Sequence, residues 1–440
     1  MANTPKLIII GGGLAGCEAA WQAARAGCTV QLREMKPQAF SPAHESPLLA
    51  ELVCSNSFRS DAPDSAVGLL KEEMARLGSL IIAAARTTAV PAGKALAVDR
   101  HLFARAVTDA MENSDHIEIR REEMRALPDN FTTPFILATG PLTSEAMADS
   151  LNRFTGEERL FFYDAIAPII ESESLDRQIV YEKSRYDEGP GDYLNCPMDK
   201  EQYMRFIEAL AGGISVPLHS FEKVKYFEGC LPIEVMCERG AETLRYGPMK
   251  PVGLPDPRSG REPYAVVQLR RENREGTHYN MVGFQTKLSY SEQKRIFALI
   301  PGMEKAVFSR YGSIHRNTFI CAPELLMPTL QMRANPNMLI AGQLSGVEGY
   351  VESAAMGLLA GINGARIAKG LSAVTPPPGT ALGALIQHLI ATEPGRFQPS
   401  NINFGLFPPL GRKIPKRQRG AARAELARGE LGRWMKQEHL

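Results

Sequence analysis

Residues 6–34 read KLIIIGGGLAGCEAAWQAARAGCTVQLRE, and the order of residue types in this stretch decides the fold. Lys6 to Ile10 is a short apolar run of the kind that makes a buried parallel strand. Gly11, Gly13 and Gly16 then fit G-x-G-x-x-G, with Gly12, Leu14 and Ala15 filling the spaces. Ala15 to Ala26 is alanine-rich and predicts a helix capped by Gly27, and Cys28 to Arg33 predicts a second strand ending at Glu34. Each glycine has a mechanical reason. Gly11 permits the tight turn, Gly13 lets the backbone approach a pyrophosphate, and Gly16 lets helix and strand pack closely. The helix N-terminus offers unpaired N–H groups and a positive dipole end to the anion. Glu34 stands 23 positions after Gly11, near the ~20-residue spacing of a carboxylate that binds ribose hydroxyls. The stretch predicts a Rossmann-like dinucleotide-binding unit in an α/β fold.

Two distant turns narrow the dinucleotide. Phe135 to Leu137 predicts a strand running into Ala138-Thr139-Gly140, and Asn337 to Ile340 another running into Ala341-Gly342-Gln343. The second is followed by Gly346, Gly349, Tyr350 and a small-residue helix from Ser353 to Ile367. Both turns resemble those that meet FAD in two-dinucleotide-binding-domain flavoproteins. Glu34, in place of a basic residue, disfavours a 2′-phosphate, and no second G-x-G-x-x-G follows. Between the turns lie Tyr- and Phe-rich strands (Leu160 to Tyr163, Tyr264 to Leu269), a helical stretch from Lys200 to Ala211 and a proline-studded segment from Pro248 to Pro263. The expected architecture is a discontinuous FAD-binding domain, residues 1–150 and 315–440, interrupted by an α+β substrate-facing insertion at 151–314.

The chain has 440 residues, 44% of them hydrophobic and 22% charged, which suits a globular chain and excludes a disordered or fibrous one. Seven cysteines, an odd number without zinc spacing, read as reduced thiols of a cytoplasmic protein, and no metal site is expected. The N-terminal apolar run is too short for a signal peptide, and no stretch approaches the ~18 apolar residues of a membrane span. The net charge of +1 hides an asymmetry. Between Gly411 and Gln437 nine basic residues, among them Lys413, Lys416, Arg417 and Arg419, face only Glu425 and Glu430, a local +7 that leaves about −6 elsewhere. Such a tail reads either as a solvated terminus or as a local grip on a polyanion.

Further motifs converge on one family. GGGLAGCEAAWQAARAG, PAHESPLLAELVCSNSFRS around Cys54, GLLKEEMARLGSLI, PAGKALAVDR, ATGPLTSEA, DYLNCPM, FEGCLPIE around Cys230, YGPMKPVGL, AVVQLRREN, VGFQT, HRNTF and AGQLSGVEGYVESAAMGLLAGINGAR resemble the folate- and FAD-dependent tRNA (uracil-5-)-methyltransferase family up to about residue 410. The resemblance implies methylation of the T-loop uridine of tRNA. The carbon comes from 5,10-methylenetetrahydrofolate, and the electrons from reduced FAD regenerated by NADH or NADPH, with no obligate protein partner.

Such a reaction needs a thiolate, because the uracil 5-carbon is a poor nucleophile until a thiolate adds at the 6-carbon. The resemblance assigns Cys230 as that nucleophile and Cys54 as a flavin-side thiol, with the reverse assignment open. In the family the flavin 5-nitrogen is thought to carry the methylene. Cys237 follows Cys230 by seven residues, but Pro232 breaks a shared helical face; Cys17, Cys28 and Cys321 are expected to be packing. His315, in HRNTF, is a candidate for stacking on the pteridine ring. Arg59, Lys250, Arg270, Arg271 and Arg274 are candidates for holding RNA phosphates or the glutamate tail of folate. Backbone N–H groups from Gly346 to Tyr350 are expected against the flavin, and no general base stands out. Rival readings are the same chemistry on a ribosomal RNA uridine, a flavoprotein of the related wobble-uridine family, a small-molecule flavin oxidoreductase, and an RNA-binding flavoprotein without transferase activity.

Overall fold

The computed structural model describes residues 5–128, 130, 132–156, 160–185, 191–217, 226, 231–411 and 414–440, without the side chains of 160–162 and 416. Its first sheet has five strands in the order Met338–Ile340, Phe135–Leu137, Lys6–Ile10, Thr29–Glu34 and Ile117–Arg121. All neighbours pair in parallel, as expected of apolar strands covered on both faces. The helix Leu14–Arg25 carries the chain from the first strand to its neighbour, and Gly27, at φ +79°, turns it into Thr29–Glu34.

A second helix, Tyr350–Ala368, lies against Leu14–Arg25 at near-backbone contact. A Cβ added at Gly357 would stand 2.2 Å from the Ala15 carbonyl oxygen, and one at Gly361 2.5 Å from that of Ala19. The small residues thus let two helices pack without side chains between them. This helix starts at Tyr350, three residues before the expected Ser353, because Gly349 takes φ +105° and admits the sharp entry.

The intervening chain builds another sheet, antiparallel, in the order Tyr181–Glu182, Tyr193–Met198, Ala265–Arg271, His278–Met281, Ile169–Glu171 and Phe308–Arg310. Helix Lys200–Ala211 covers it, opened by a reciprocal cap in which Asp199 and Gln202 satisfy each other's backbone N–H. The buried apolar residues fall into two main clusters, one drawn from 7–151 and 319–434, the other from 170–303. Between them run Leu160–Ile166 and Ser313–Phe319 as an antiparallel pair.

The basic segment is not a free terminus. Arg419–Glu438 is a helix whose Ala424, Ala427, Leu431 and Trp434 are buried in the first cluster. Arg428 grips Glu72 with its Nε and Nη2 at 2.8 and 2.7 Å, lowering the pKa of that carboxyl. No helix among the described residues is long and apolar enough to cross a membrane.

Candidate functional site

A cleft of about 1090 Å³ opens where the first and second strands and the Phe135–Leu137 and Met338–Ile340 strands end. Gly11, Gly12, Gly13, Leu14, Ala15, Glu34, Thr139, Gly140, Gly342 and Tyr350 line it. Gly11 sits at φ +101° with Ala138 O 2.4 Å from where a Cβ would be, and a Cβ at Gly16 would lie 1.7 Å from Gly11 O. Gly13 and Gly140 face open space instead. That is the cradle a pyrophosphate needs: backbone bare of side chains, beside a helix N-terminus with no side-chain cap and no acidic residue in its first turn. Glu34 is buried, and its two oxygens accept the Gly12 N–H at 2.6 Å and the Lys36 N–H at 2.9 Å, which fixes the carboxylate at the cleft wall. These residues fit an FAD: Glu34 would hold the ribose hydroxyls and the bare backbone at Gly13 would hold the pyrophosphate.

A second cavity of about 1240 Å³ adjoins this cleft, and Val53, Pro141, Leu142, Gln343 and Tyr350 line both. Half-buried Cys54 faces it, with its thiol 3.8 Å from Ala165 O. The Tyr350 hydroxyl oxygen accepts the N–H of Cys54 at 2.8 Å and of Ser55 at 3.0 Å, so one ring at the cleft boundary holds the cysteine loop. Arg59, at φ +60°, reaches the fully buried carboxylate of Glu352, which also accepts the Ile402 N–H. Its strained backbone is braced from behind: the buried Lys71 ammonium donates to the carbonyls of Phe58 and Arg59 and pairs with Asp61 at 3.1 Å.

Strand alternation separates the two neighbouring arginines. Arg270 points inward, 7% exposed, and donates to Asn56 Oδ1 at 2.9 Å and Ser55 Oγ at 2.8 Å. Burial pulls its pKa below the usual arginine value. Arg271 points outward to Glu182. His315 lines the cavity with its Nε2 2.9 Å from Ser313 Oγ, and burial, with Arg310 and His44 nearby, depresses it to about 4. Glu348 is a buried acid of the same cavity; burial, then Asp164 and Cys54, push its pKa well up, and Gln343 donates to it.

The other expected residues lie elsewhere. Lys250 is exposed on the second sheet's flank, where its carbonyl accepts from Arg185, and Arg274 donates to Thr87 O. Arg417 and Arg419 are exposed, and Arg419 Nε donates to Ile414 O at 3.0 Å. Lys416 occupies a short turn before the terminal helix. Cys230 and Lys413 lie outside the described residues. The expectation that Gly346 meets the flavin is corrected: its N–H is taken by Gln343 O, and a Cβ there would strike the Phe397 ring at 2.4 Å. Sequence reading missed Glu348, Glu352, Lys71, Asp164 and Asn280. The first two sit in the quoted VEGYVESAA motif, where acids between small residues of a buried helix start were the available signal.

The family model described as glucose inhibited division protein A matches residues 6–372. A methylenetetrahydrofolate–tRNA-(uracil-5-)-methyltransferase TrmFO from Desulfotalea psychrophila is 64% identical over 434 residues, 99% of this chain and 98% of its own. Proteins of the same name from Geotalea daltonii and Geobacter sulfurreducens are 59% and 58% identical, each over 98% of this chain and over 98% and 99% of theirs. Two crystal forms of Aquifex aeolicus GidA share the fold, with TM-scores of 0.68 and 0.69 at 19% and 18% identity, covering 98% of this chain and 74% and 76% of theirs. With identity this high along almost the whole of both chains, the protein belongs to the methylenetetrahydrofolate–tRNA-(uracil-5-)-methyltransferase family, within the wider glucose inhibited division protein A group.

Proposed function

We propose that the protein methylates the 5-carbon of the T-loop uridine of tRNA, in the cytoplasm, with 5,10-methylenetetrahydrofolate as carbon donor and NADH or NADPH as the source of electrons. One observation carries the reading: a glycine-lined cleft adjoins a second cavity that holds Cys54, and Tyr350 borders both. The reaction needs a reductant and thiols near one base, and a thiol beside the glycine-lined cleft supports that reading. Bound FAD, held by Gly11 to Gly16, Glu34, Thr139, Gly140, Gly342, Gly349 and Tyr350, supplies redox chemistry to the cavity. Residues 1–150 and 315–440 form its domain, and 151–314 bring the substrate-facing walls.

The chain's own groups divide the remaining work. A thiolate, assigned to Cys230, adds to the uracil 6-carbon and makes the 5-carbon nucleophilic. Cys54 stands on the flavin side, its loop fixed by the Tyr350 hydroxyl. His315 presents a neutral flat face to the pteridine, since its depressed pKa keeps it unprotonated. Glu348, its carboxyl pKa pushed well up by burial and by Asp164 and Cys54, is the acid-base candidate of the cavity. Arg59 and Arg270 bind ligand anions or carbonyls inside the cavity, while Lys250, Arg271 and the basic terminal segment, Lys413, Lys416, Arg417 and Arg419, meet RNA phosphates. The rival wobble-uridine assignment is disfavoured by the 55–64% identities, all to proteins named as uracil-5-methyltransferases.

The test is incubation of the flavin-loaded protein with methylenetetrahydrofolate, NADH or NADPH and unmodified tRNA, with ribosomal RNA fragments in parallel, followed by mass spectrometry. 5-Methyluridine in the tRNA T-loop is expected; product in ribosomal RNA alone reassigns the target, and none in either ends the methyltransferase reading.

A further inference from the structure

Asn280 is on the strand His278–Met281 and stands directly across from Arg270 on the neighbouring strand. It is 3% exposed and lines the cavity that holds Cys54. Its Oδ1 accepts from Arg270 Nη2 at 3.5 Å, but its buried Nδ2 has no hydrogen-bond partner among the described residues. The amide is not free to turn over. A guanidinium has donors only, so rotating the carboxamide would set N–H against N–H; the oxygen belongs to Arg270 and the NH₂ to the cavity. Arg270 is in turn tied to Ser55 and Asn56, the two residues after Cys54. The unpaired donor is therefore held in fixed register with the cysteine loop.

A buried amide donor without an acceptor costs about 1–3 kcal/mol, a penalty that a bound ligand removes. The acceptor it wants is a neutral or developing anionic oxygen, because a guanidinium lies alongside and would repel a cation. Resting on the methyltransferase reading above, we propose that Asn280 is a catalytic residue whose Nδ2–H donates to the 4-carbonyl oxygen of the uracil, with Arg270 as the positioning residue that aims it. When the thiolate forms its bond to the 6-carbon, the 5,6 π bond breaks and its electron pair spreads over the 5-carbon and the 4-oxygen. A donor fixed at that oxygen is worth more in the enolate than in the resting base. No proton is transferred: the hydrogen bond tightens as the enolate forms and relaxes once the pair is used to bond the incoming methylene. The base reaches this buried end of the cavity only when swung out of the RNA stack.

Pterins carry the same lactam carbonyl, so the experiment separates the two ligands. Asn280→Asp keeps the contact to Arg270, as a charged pair, and removes the donor; Asn280→Ser restores a shorter donor. In the flavin-loaded protein two quantities are measured: the rate of covalent adduct formation with T-arm RNA bearing 5-fluorouridine, and the change in flavin absorbance on adding methylenetetrahydrofolate. Adduct formation in N280D is expected to slow by about 10²–10³, the usual effect of losing one donor at a developing oxyanion. N280S should recover part of that loss, with RNA affinity and the flavin response unchanged in both. A lost flavin response with normal adduct formation would give the donor to the pterin and overturn the proposal, as would wild-type rates in both assays. Failure of the unmutated protein to form either the adduct or 5-methyluridine would instead remove the reading beneath it. Flavin content reports folding of each variant.

Discussion

Tyr350 holds two backbone N–H groups on one phenol oxygen, so its hydroxyl does more than its ring. In Tyr350→Phe both donors lose their acceptor, at about 1–3 kcal/mol for a buried group. The cysteine loop should loosen, and Cys54 should react faster with iodoacetamide, read by mass spectrometry, in a protein that still takes up flavin. His315 gives a prediction in pH. Its folded pKa of about 4 lies below the ordinary 6.5, so on acidification the unfolded chain takes up this proton before the folded one does. Its contribution is whole above 6.5 and is lost as pH falls toward 4; His44 and His388, also depressed by burial, add in the same direction. An NMR titration should place the His315 ring near 4, and melting temperature should fall more steeply over that window than in His315→Asn. Glu34, Cys54 and His315 were legible because spacing or motif marks them. Asn280, Glu348 and Lys71 were not, since what makes each of them matter is burial against strands or helices far away in sequence, and a polar residue reads the same in a loop or in a core.

Among the elements, the contact between Leu14–Arg25 and Tyr350–Ala368 is the one with least tolerance. Gly361→Val places a branched side chain 2.5 Å from the Ala19 carbonyl, an overpacking that costs about 1–3 kcal/mol or more. Denaturant unfolding should show the loss, and flavin content should drop with it, because both helices begin at the cleft. The terminal helix divides into two faces that answer differently. Trp434→Ala empties a buried site and should destabilise by about 3–5 kcal/mol. Reversing exposed Arg417 and Arg419 to Glu should leave stability alone and weaken RNA binding. If both contact phosphates, the slope of log affinity against log salt should shrink by about 2. Truncation at 411 would confuse the two effects. Composition revealed the charge of this segment but not its docking: Ala424, Ala427, Leu431 and Trp434 give a stripe that matters only once Ala66–Arg76 is beside it.

For the whole molecule, the nucleotide cleft is lined by Ile10, Leu14, Ala15 and Ala138 of the first hydrophobic cluster, so flavin should stabilise that cluster. Adding FAD to apoprotein at a hundred times its dissociation constant should contribute about 2.7 kcal/mol and raise the melting temperature, and Glu34→Ala should shrink that rise. That the parallel sheet joins strands far apart in the chain was readable because three strand-to-glycine turns recur at 10–11, 137–140 and 340–342, each with a backbone reason. The Ile117–Arg121 edge strand escaped notice, since alternating charged residues on an exposed edge give no apolar run. The same discontinuity sets an order of events on the ribosome. The strand and helix that open the cleft emerge first, but their packing partner, Tyr350–Ala368, follows more than 300 residues later. At ~5–20 residues per second that is on the order of tens of seconds. For that time the alanine face of Leu14–Arg25 waits uncovered while the second sheet is made and can close on its own. The nascent chain thus completes its antiparallel sheet before the parallel one, and so before it can hold a flavin.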